Sequence, residues 1–137
     1  MDIEQAIYAR LAADAPLSAL VAARIYPEAA VQSDTFPLVT YSEAEASFTY
    51  GLAGRINLGK YQMHLDCYAL SYLTCKSARA AVMACLDSLQ ATIGAGTVTV
   101  LGAFLESGDS DMAAPIHADE SGVFRAGIDV AIHYRTN

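Results

Sequence analysis

The chain has 137 residues, with 8 basic and 15 acidic side chains and a formal charge of −7. Its hydrophobic content of 54% lies slightly above the ~45–50% of ordinary domains, and its charged content of 17% lies below the usual ~25%. That combination excludes a disordered chain, and the length is that of one domain whose core needs no disulfide or metal staple. The acidic balance speaks against a nucleic-acid surface, which needs clustered Lys and Arg, and against adhesion to anionic membranes. No run of about 18 apolar residues exists to span a bilayer. The opening MDIEQAIYARL carries acids where a secretion signal needs bases, so synthesis and retention in the cytoplasm are expected. The apolar excess has two readings: an alanine-rich core, or an assembly whose subunits cover one another's apolar faces.

In chain order, residues 2–13 read as an amphipathic helix, with Asp2 as N-cap and Gln5 as its reciprocal partner. Ile3, Ile7 and Leu11 recur every four residues, and Ala6 widens the stripe. Asp14-Ala15-Pro16 stops it, because a residue before proline avoids the helical region. Residues 17–22 form a further short helical turn and 24–27 a short extended piece. Residues 28–37 read as a loop. A strand begins at Leu38 and extends into a glycine-bearing stretch, 43–58, read as strand extension followed by a long hairpin tip. Residues 60–70 are the next strand: Met63, Leu65, Cys67 and Ala69 alternate with Gln62, His64, Asp66 and Tyr68, which makes one face wetter than the other.

Ser71 caps a second helix to about residue 91, with Cys75, Ala78, Val82, Cys85 and Leu89 on one face. Lys76, Arg79 and Asp87 fall largely outside that stripe. Residues 97–105 are a third strand. Residues 106–122 hold acids and no bases and read as a solvent-exposed loop. Residues 122–135 are a fourth strand: Ala126, Ile128, Val130, Ile132 and Tyr134 point one way, and Arg125, Gly127, Asp129, Ala131, His133 and Arg135 the other. The expected fold is α+β: a small antiparallel sheet of about four strands with two main helices packed on one face, as a single domain over 1–137.

A search for chemistry finds little. Cys67, Cys75 and Cys85 form no CxxC and read as small core hydrophobes. His64 and His133 lie on strands, on the side away from the apolar stripe. If those strands are neighbours the two rings face each other, and with Asp66 or Asp129 they make a metal-site alternative to plain solvated or interface histidines. His117 sits with Asp109, Asp111, Asp119 and Glu120, but their spacing does not fit a calcium loop. Glu43 and Glu45, two apart on a strand, share one face. No phosphate-binding glycine motif is present. No catalytic residue, cofactor or metal is assigned. The eight tyrosines suit interfaces, since each brings a large ring with a polar tip.

Taken in order, several segments resemble one family: IEQAIYARLAADAPLSALVAARIYP, then Phe36-Pro37-Leu38-Val39-Thr40-Tyr41, then MHLDCYA followed by SARAAVMACLDSL, and the closing GVFRAGIDVAIHYR. Their order and spacing resemble the phage tail completion, tail-terminator or head-to-tail joining proteins over nearly the whole chain. The stretch 43–60 departs from the pattern in its length and glycines. The resemblance implies a structural virion protein: a homo-oligomeric ring, usually hexameric, that caps the tail tube, ends its polymerisation and faces the head connector or stopper. It implies residence at the head–tail junction of the virion, with the host cytoplasm as the place of assembly, and DNA passing through the lumen without specific binding.

From exposure alone, His64, Tyr68 and His133 are the candidate subunit contacts. Arg55, Lys60, Asp109, Asp111, Asp119 and Glu120 are the candidate axial contacts to tube or connector. The alternatives are another neck protein (stopper or adaptor) or a small ligand-binding or enzymatic α+β dimer. The missing nucleophile–base pair weighs against the last.

Overall fold

The computed structural model describes residues 3–22, 24–27, 36–93, 98–107, 112–113 and 123–136. Helix α1 (Ile3–Ala13) buries Ile3, Ala6, Ile7 and Leu11, the stripe expected from their spacing. The proposed cap at Asp2 lies outside the described residues. Asp14 ends α1 and also opens α2 (Ala15–Val21): its carboxylate accepts from the Leu17 amide at 3.1 Å. Pro16 sits in the first turn of α2, where a missing N–H leaves nothing unsatisfied. Strand β1 (Ile25–Pro27) follows, and Arg24 Nε donates to the Pro37 carbonyl at 2.9 Å, tying this passage to the start of the next strand.

Strands β2 (Leu38–Gly51) and β3 (Gly54–Ala69) form one long hairpin. Its turn is only Leu52-Ala53, so the long tip expected there is instead two strands paired almost to their ends. Gly54 takes φ +123°, a region that side chains with a Cβ avoid. Helix α3 (Tyr72–Leu86) begins after Ser71, which holds the N-cap position with its backbone and makes no side-chain cap bond. The helix ends at Leu86, not near 91. Asp87 is extended and Ser88 has φ 55°, which turns the chain into β4 (Ala91–Ile93). Leu89 is buried from that turn, which is why the helical spacing ran on past the helix end. Strands β5 (Val98–Ser107), β6 (Met112–Ala113) and β7 (Phe124–Thr136) complete the chain.

The result is a mixed α/β fold with three helices and one seven-stranded sheet among the described residues. Six strands run in the order β1-β2-β3-β7-β5-β4, and the two residues of β6 pair with β7. The expectation of about four strands is corrected, because β1, β4 and β6 are too short to show a period of two. The sheet is also not wholly antiparallel, since β1 joins β2 in parallel.

Buried residues of all three helices join Met63, Leu65 and Cys67 of β3 and Ile128, Val130 and Ile132 of β7 in one core cluster. Tyr61 reaches from β3 to Glu4 of α1 at 3.4 Å. Arg79, expected outside the helical stripe, is only 3% exposed. It lies one turn from Cys75 and Val82, on the core-facing side of α3.

Gly59 lies opposite Tyr134, whose ring covers it; a Cβ on Gly59 would meet that ring at 2.7 Å. Tyr134 is itself buried, so the ring has little room to give. Gly59→Ala is expected to cost about 1–3 kcal/mol of unfolding free energy by overpacking, measured by urea denaturation against wild type.

Candidate functional site

The sheet has a second face, opposite the one in the core cluster. Direct cross-strand partners share a face, so the register assigns its members. Gln62 lies opposite Ala131, His64 opposite Asp129, Asp66 opposite Gly127 and Tyr68 opposite Arg125. Thr40 and Ser42 of β2 lie opposite Asp66 and His64. Gly102 and Phe104 of β5 lie opposite His133 and Ala131.

One end of this face is a charged cluster. His64 stands between two carboxylates, Nδ1 at 2.7 Å from Asp129 Oδ1 and Nε2 at 2.9 Å from Asp66 Oδ1. Arg125 Nη1 donates to the same Asp66 oxygen at 2.7 Å. Burial pushes the His64 pKa down, but the hydrogen bonds and charges of Asp129 and Asp66 outweigh it and leave it above the ordinary 6.5. Tyr68 adjoins the cluster and bonds Thr40; burial, aided by the Asp66 charge, raises its phenol pKa.

The other end is apolar and open. Phe104 is 57% exposed and Leu101 44%, and Leu58 stands out beside them. His133 packs edge-on to Phe104 with ring centroids 5.7 Å apart. Leu58, Leu101 and His133 line, with Ser47 and Thr49, a shallow cleft of about 250 Å³. Beyond it the β2–β3 hairpin projects as an arm. The pairing of β3 with β7 stops at Leu58, so residues 49–57 form a two-stranded ribbon with Phe48 at its base. Phe48, Tyr50, Leu52 and Ile56 are exposed on it, and the Arg55 guanidinium lies 4.5 Å from the Phe48 ring centre.

The residues singled out from sequence are thus dispersed. His64 and Tyr68 belong to the charged end, His133 to the apolar end, and Arg55 to the arm. Lys60 is half-buried at the arm's base, opposite both Ser47 and His133. Because His133 sits opposite Lys60, four residues from His64, the two histidines are about 13 Å apart along the strands and do not face each other. Among the described residues no group of three or more His, Cys, Asp and Glu is placed to hold a metal. Glu43 and Glu45 do not share a face either: a bulge at Ala44 sets Glu43 opposite Met63 and Glu45 opposite Gln62. Asp109, Asp111, His117, Asp119 and Glu120 lie outside the described residues.

The model of the family described as tail completion protein gp17 matches residues 5–114. The chain belongs to this family. Family membership makes it a phage-type tail structural protein and places it in the virion. A chain from a solved structure titled "Virion of native gene transfer agent (GTA) particle" shares the fold: TM-score 0.69 at 17% identity, over 97% of this chain and 94% of that one. A second solved structure agrees with TM-score 0.56 at 13% identity, over 98% of this chain and 93% of that one. A search of curated proteins gave no match.

Sequence reasoning missed Leu58, Leu101 and Phe104 as open apolar residues of this tail protein. For Phe104 the reason is the register shift between Val100 and Gly102: Val98 and Val100 face the core before it, Ala103 faces the core after it, and Phe104 is turned outward. No residue type in Leu101-Gly102 distinguishes that bulge from plain alternation.

The three thiols are buried. Cys75 Sγ donates to the Cys67 carbonyl at 3.2 Å. Burial pushes all three thiol pKa values up, that of Cys85 to about 11, so the thiolate needed for nucleophilic chemistry is suppressed. Native protein at neutral pH is therefore expected to react with Ellman's reagent far more slowly than free cysteine, with all three thiols released in urea.

Proposed function

We propose that the chain forms a closed ring, six subunits by the family pattern, that caps the tail tube. On this reading the ring ends tube polymerisation and presents its opposite side to the head connector or stopper. It has no catalytic role, and DNA passes through its lumen without specific binding. The subunits gather at the head–tail junction after synthesis in the host cytoplasm.

Family membership carries the reading, and the distribution of open apolar groups supports it. A ring needs two different patches on each subunit, one to meet the other on the next copy. The apolar corner of Leu58, Leu101, Phe104 and His133 serves as one patch. Leu70, Tyr72, Leu73 and Val123 are exposed at the far end of β3 and serve as the other. The run from Leu58 along β3 to Leu70 sets these patches up to about 40 Å apart. Patches so separated favour head-to-tail addition over a self-complementary dimer. Tyr68 borders the second patch, and His64 lies between the two. The arm, with Arg55 and with Lys60 at its base, is assigned to axial contacts, together with Asp109, Asp111, Asp119 and Glu120.

The test is tube assembly in the presence of the protein, followed by electron microscopy. Wild type is expected to give capped tubes with rings at one end. Phe104→Asp, at an exposed position, is expected to keep the fold while ring formation falls at least tenfold. Deletion of the gene from its particle is expected to give overlong tubes and unjoined heads; normal particles after deletion would end the proposal.

A further inference from the structure

We propose that His64 is a proton-operated clasp across β3 and β7: as an imidazolium it holds Asp66 and Asp129 together, and it lets go of one of them when the proton is lost. The clasp belongs to the single subunit and does not rest on the ring reading.

The geometry requires the proton. A neutral imidazole has one N–H and one lone pair, so it donates to one partner only. Both ring nitrogens of His64 lie within 2.9 Å of carboxylate oxygens, on two different strands. An ionised carboxylate only accepts. With one proton on the ring, one nitrogen lone pair would point at a carboxylate lone pair; with two, both contacts become charge-assisted hydrogen bonds. Arg125 Nη1 donates to the same Asp66 oxygen that His64 Nε2 approaches, so that oxygen serves as an acceptor.

Among the described residues, the charged groups set against His64 are two carboxylates and the guanidinium bonded to one of them. On β3 the group facing His64 is Asp66; on β7 it is Asp129, with Arg125 engaged on Asp66. On β2 the residue opposite is Ser42, which does not titrate in this range. On β5, Ser107 lies opposite Asp129, and Glu106 accepts from Gln62 Nε2 at 3.3 Å. Lys60 is four residues away along the strand. The protonated cluster of His64, Arg125, Asp66 and Asp129 is neutral as a whole, and the deprotonated one carries a net negative charge.

The sign of the pH effect follows. The folded pKa lies above the unfolded one, so the clasp contributes fully below about pH 6.5 and its contribution fades as pH rises through the folded pKa. Asp66 keeps Arg125 when the ring proton is lost, so the contact that opens is the one to Asp129.

Nitrogen-15 NMR of the imidazole rings in the intact chain is the test. At pH 6.5 both ring nitrogens of His64 are expected to carry protons, and its titration midpoint is expected above that of the same residue in the urea-unfolded chain. Asp129→Asn, at a half-exposed position that leaves the core alone, is expected to lower the midpoint. Wild type is expected to lose more stability between about pH 6 and about pH 9 than His64→Gln does. A single neutral tautomer at pH 6.5 would overturn the clasp, as would a midpoint at or below the unfolded value or one unmoved by Asp129→Asn.

Discussion

The pairing of β3 with β7 is the constraint on which the rest of the molecule hangs. It runs from Leu58↔Arg135 to Ala69↔Phe124 without a register shift, whereas β2–β3 and β5–β7 are both interrupted by bulges. An unbroken ladder keeps the period of two intact, so one set of side chains lies in the core cluster and the other faces away from it. A slip by one residue would bring either His64 and Asp66 of β3 or Arg125 and Asp129 of β7 into the apolar layer. Burying such charges without their partners costs several kcal/mol, far more than the ladder could offset. The charged cluster and the hydrophobic core are two consequences of one register, and each disfavours the slips that would spoil the other.

The same ladder explains what was legible from sequence. The alternation in 60–70 and 122–135 gave both faces correctly, because nothing in those strands breaks the period. It failed at Glu43/Glu45, where one extra residue in the strand inverts everything beyond it; the same device in β5 turns Phe104 outward. It failed again at β1, β4 and β6, which exist because longer neighbours offer them an edge and not because their own residues demand a strand. Arg79 shows a different limit. A charged side chain reads as surface, yet α3 places it at a core-facing position, and a long aliphatic stem lets such a residue lie among apolar neighbours. The arm was visible as a glycine-bearing anomaly, but its short turn and its pairing close to the tip were not, because Gly51 and Gly54 suit a loop equally well.

An isolated two-stranded ribbon is marginal in water, and this one carries Phe48, Tyr50, Leu52 and Ile56 into solvent. Two local devices hold it. Arg55 stacks on Phe48, and the Tyr134 ring fills the space over Gly59 where the third strand runs out. Neither hides the apolar tip. A monomer gains nothing from keeping such side chains exposed on a projecting element, so their presence agrees with a protein whose working state is an assembly. The composition pointed the same way: the apolar excess is met partly by alanine in the helices and partly by these uncovered groups.

The two ends of the second face are suited to different roles. At the charged end the strong donors and acceptors are already partnered within the subunit, so covering them would remove water from partly exposed ions without offering a new bond. At the apolar end Leu58, Leu101 and Phe104 lose water-exposed surface on any contact, which is favourable in proportion to the area covered. His133 lies with the second group through its contact with Phe104, whereas His64 and Tyr68 lie with the first. Three residues that looked equivalent as polar positions on one strand face therefore divide: one stands where contact brings gain, and two where contact has to respect an existing network. A neighbour that seats on the apolar corner meets the rim of that network at Gln62 and Glu106, and the charge state of His64 then sets whether the cluster behind that rim is neutral or negative.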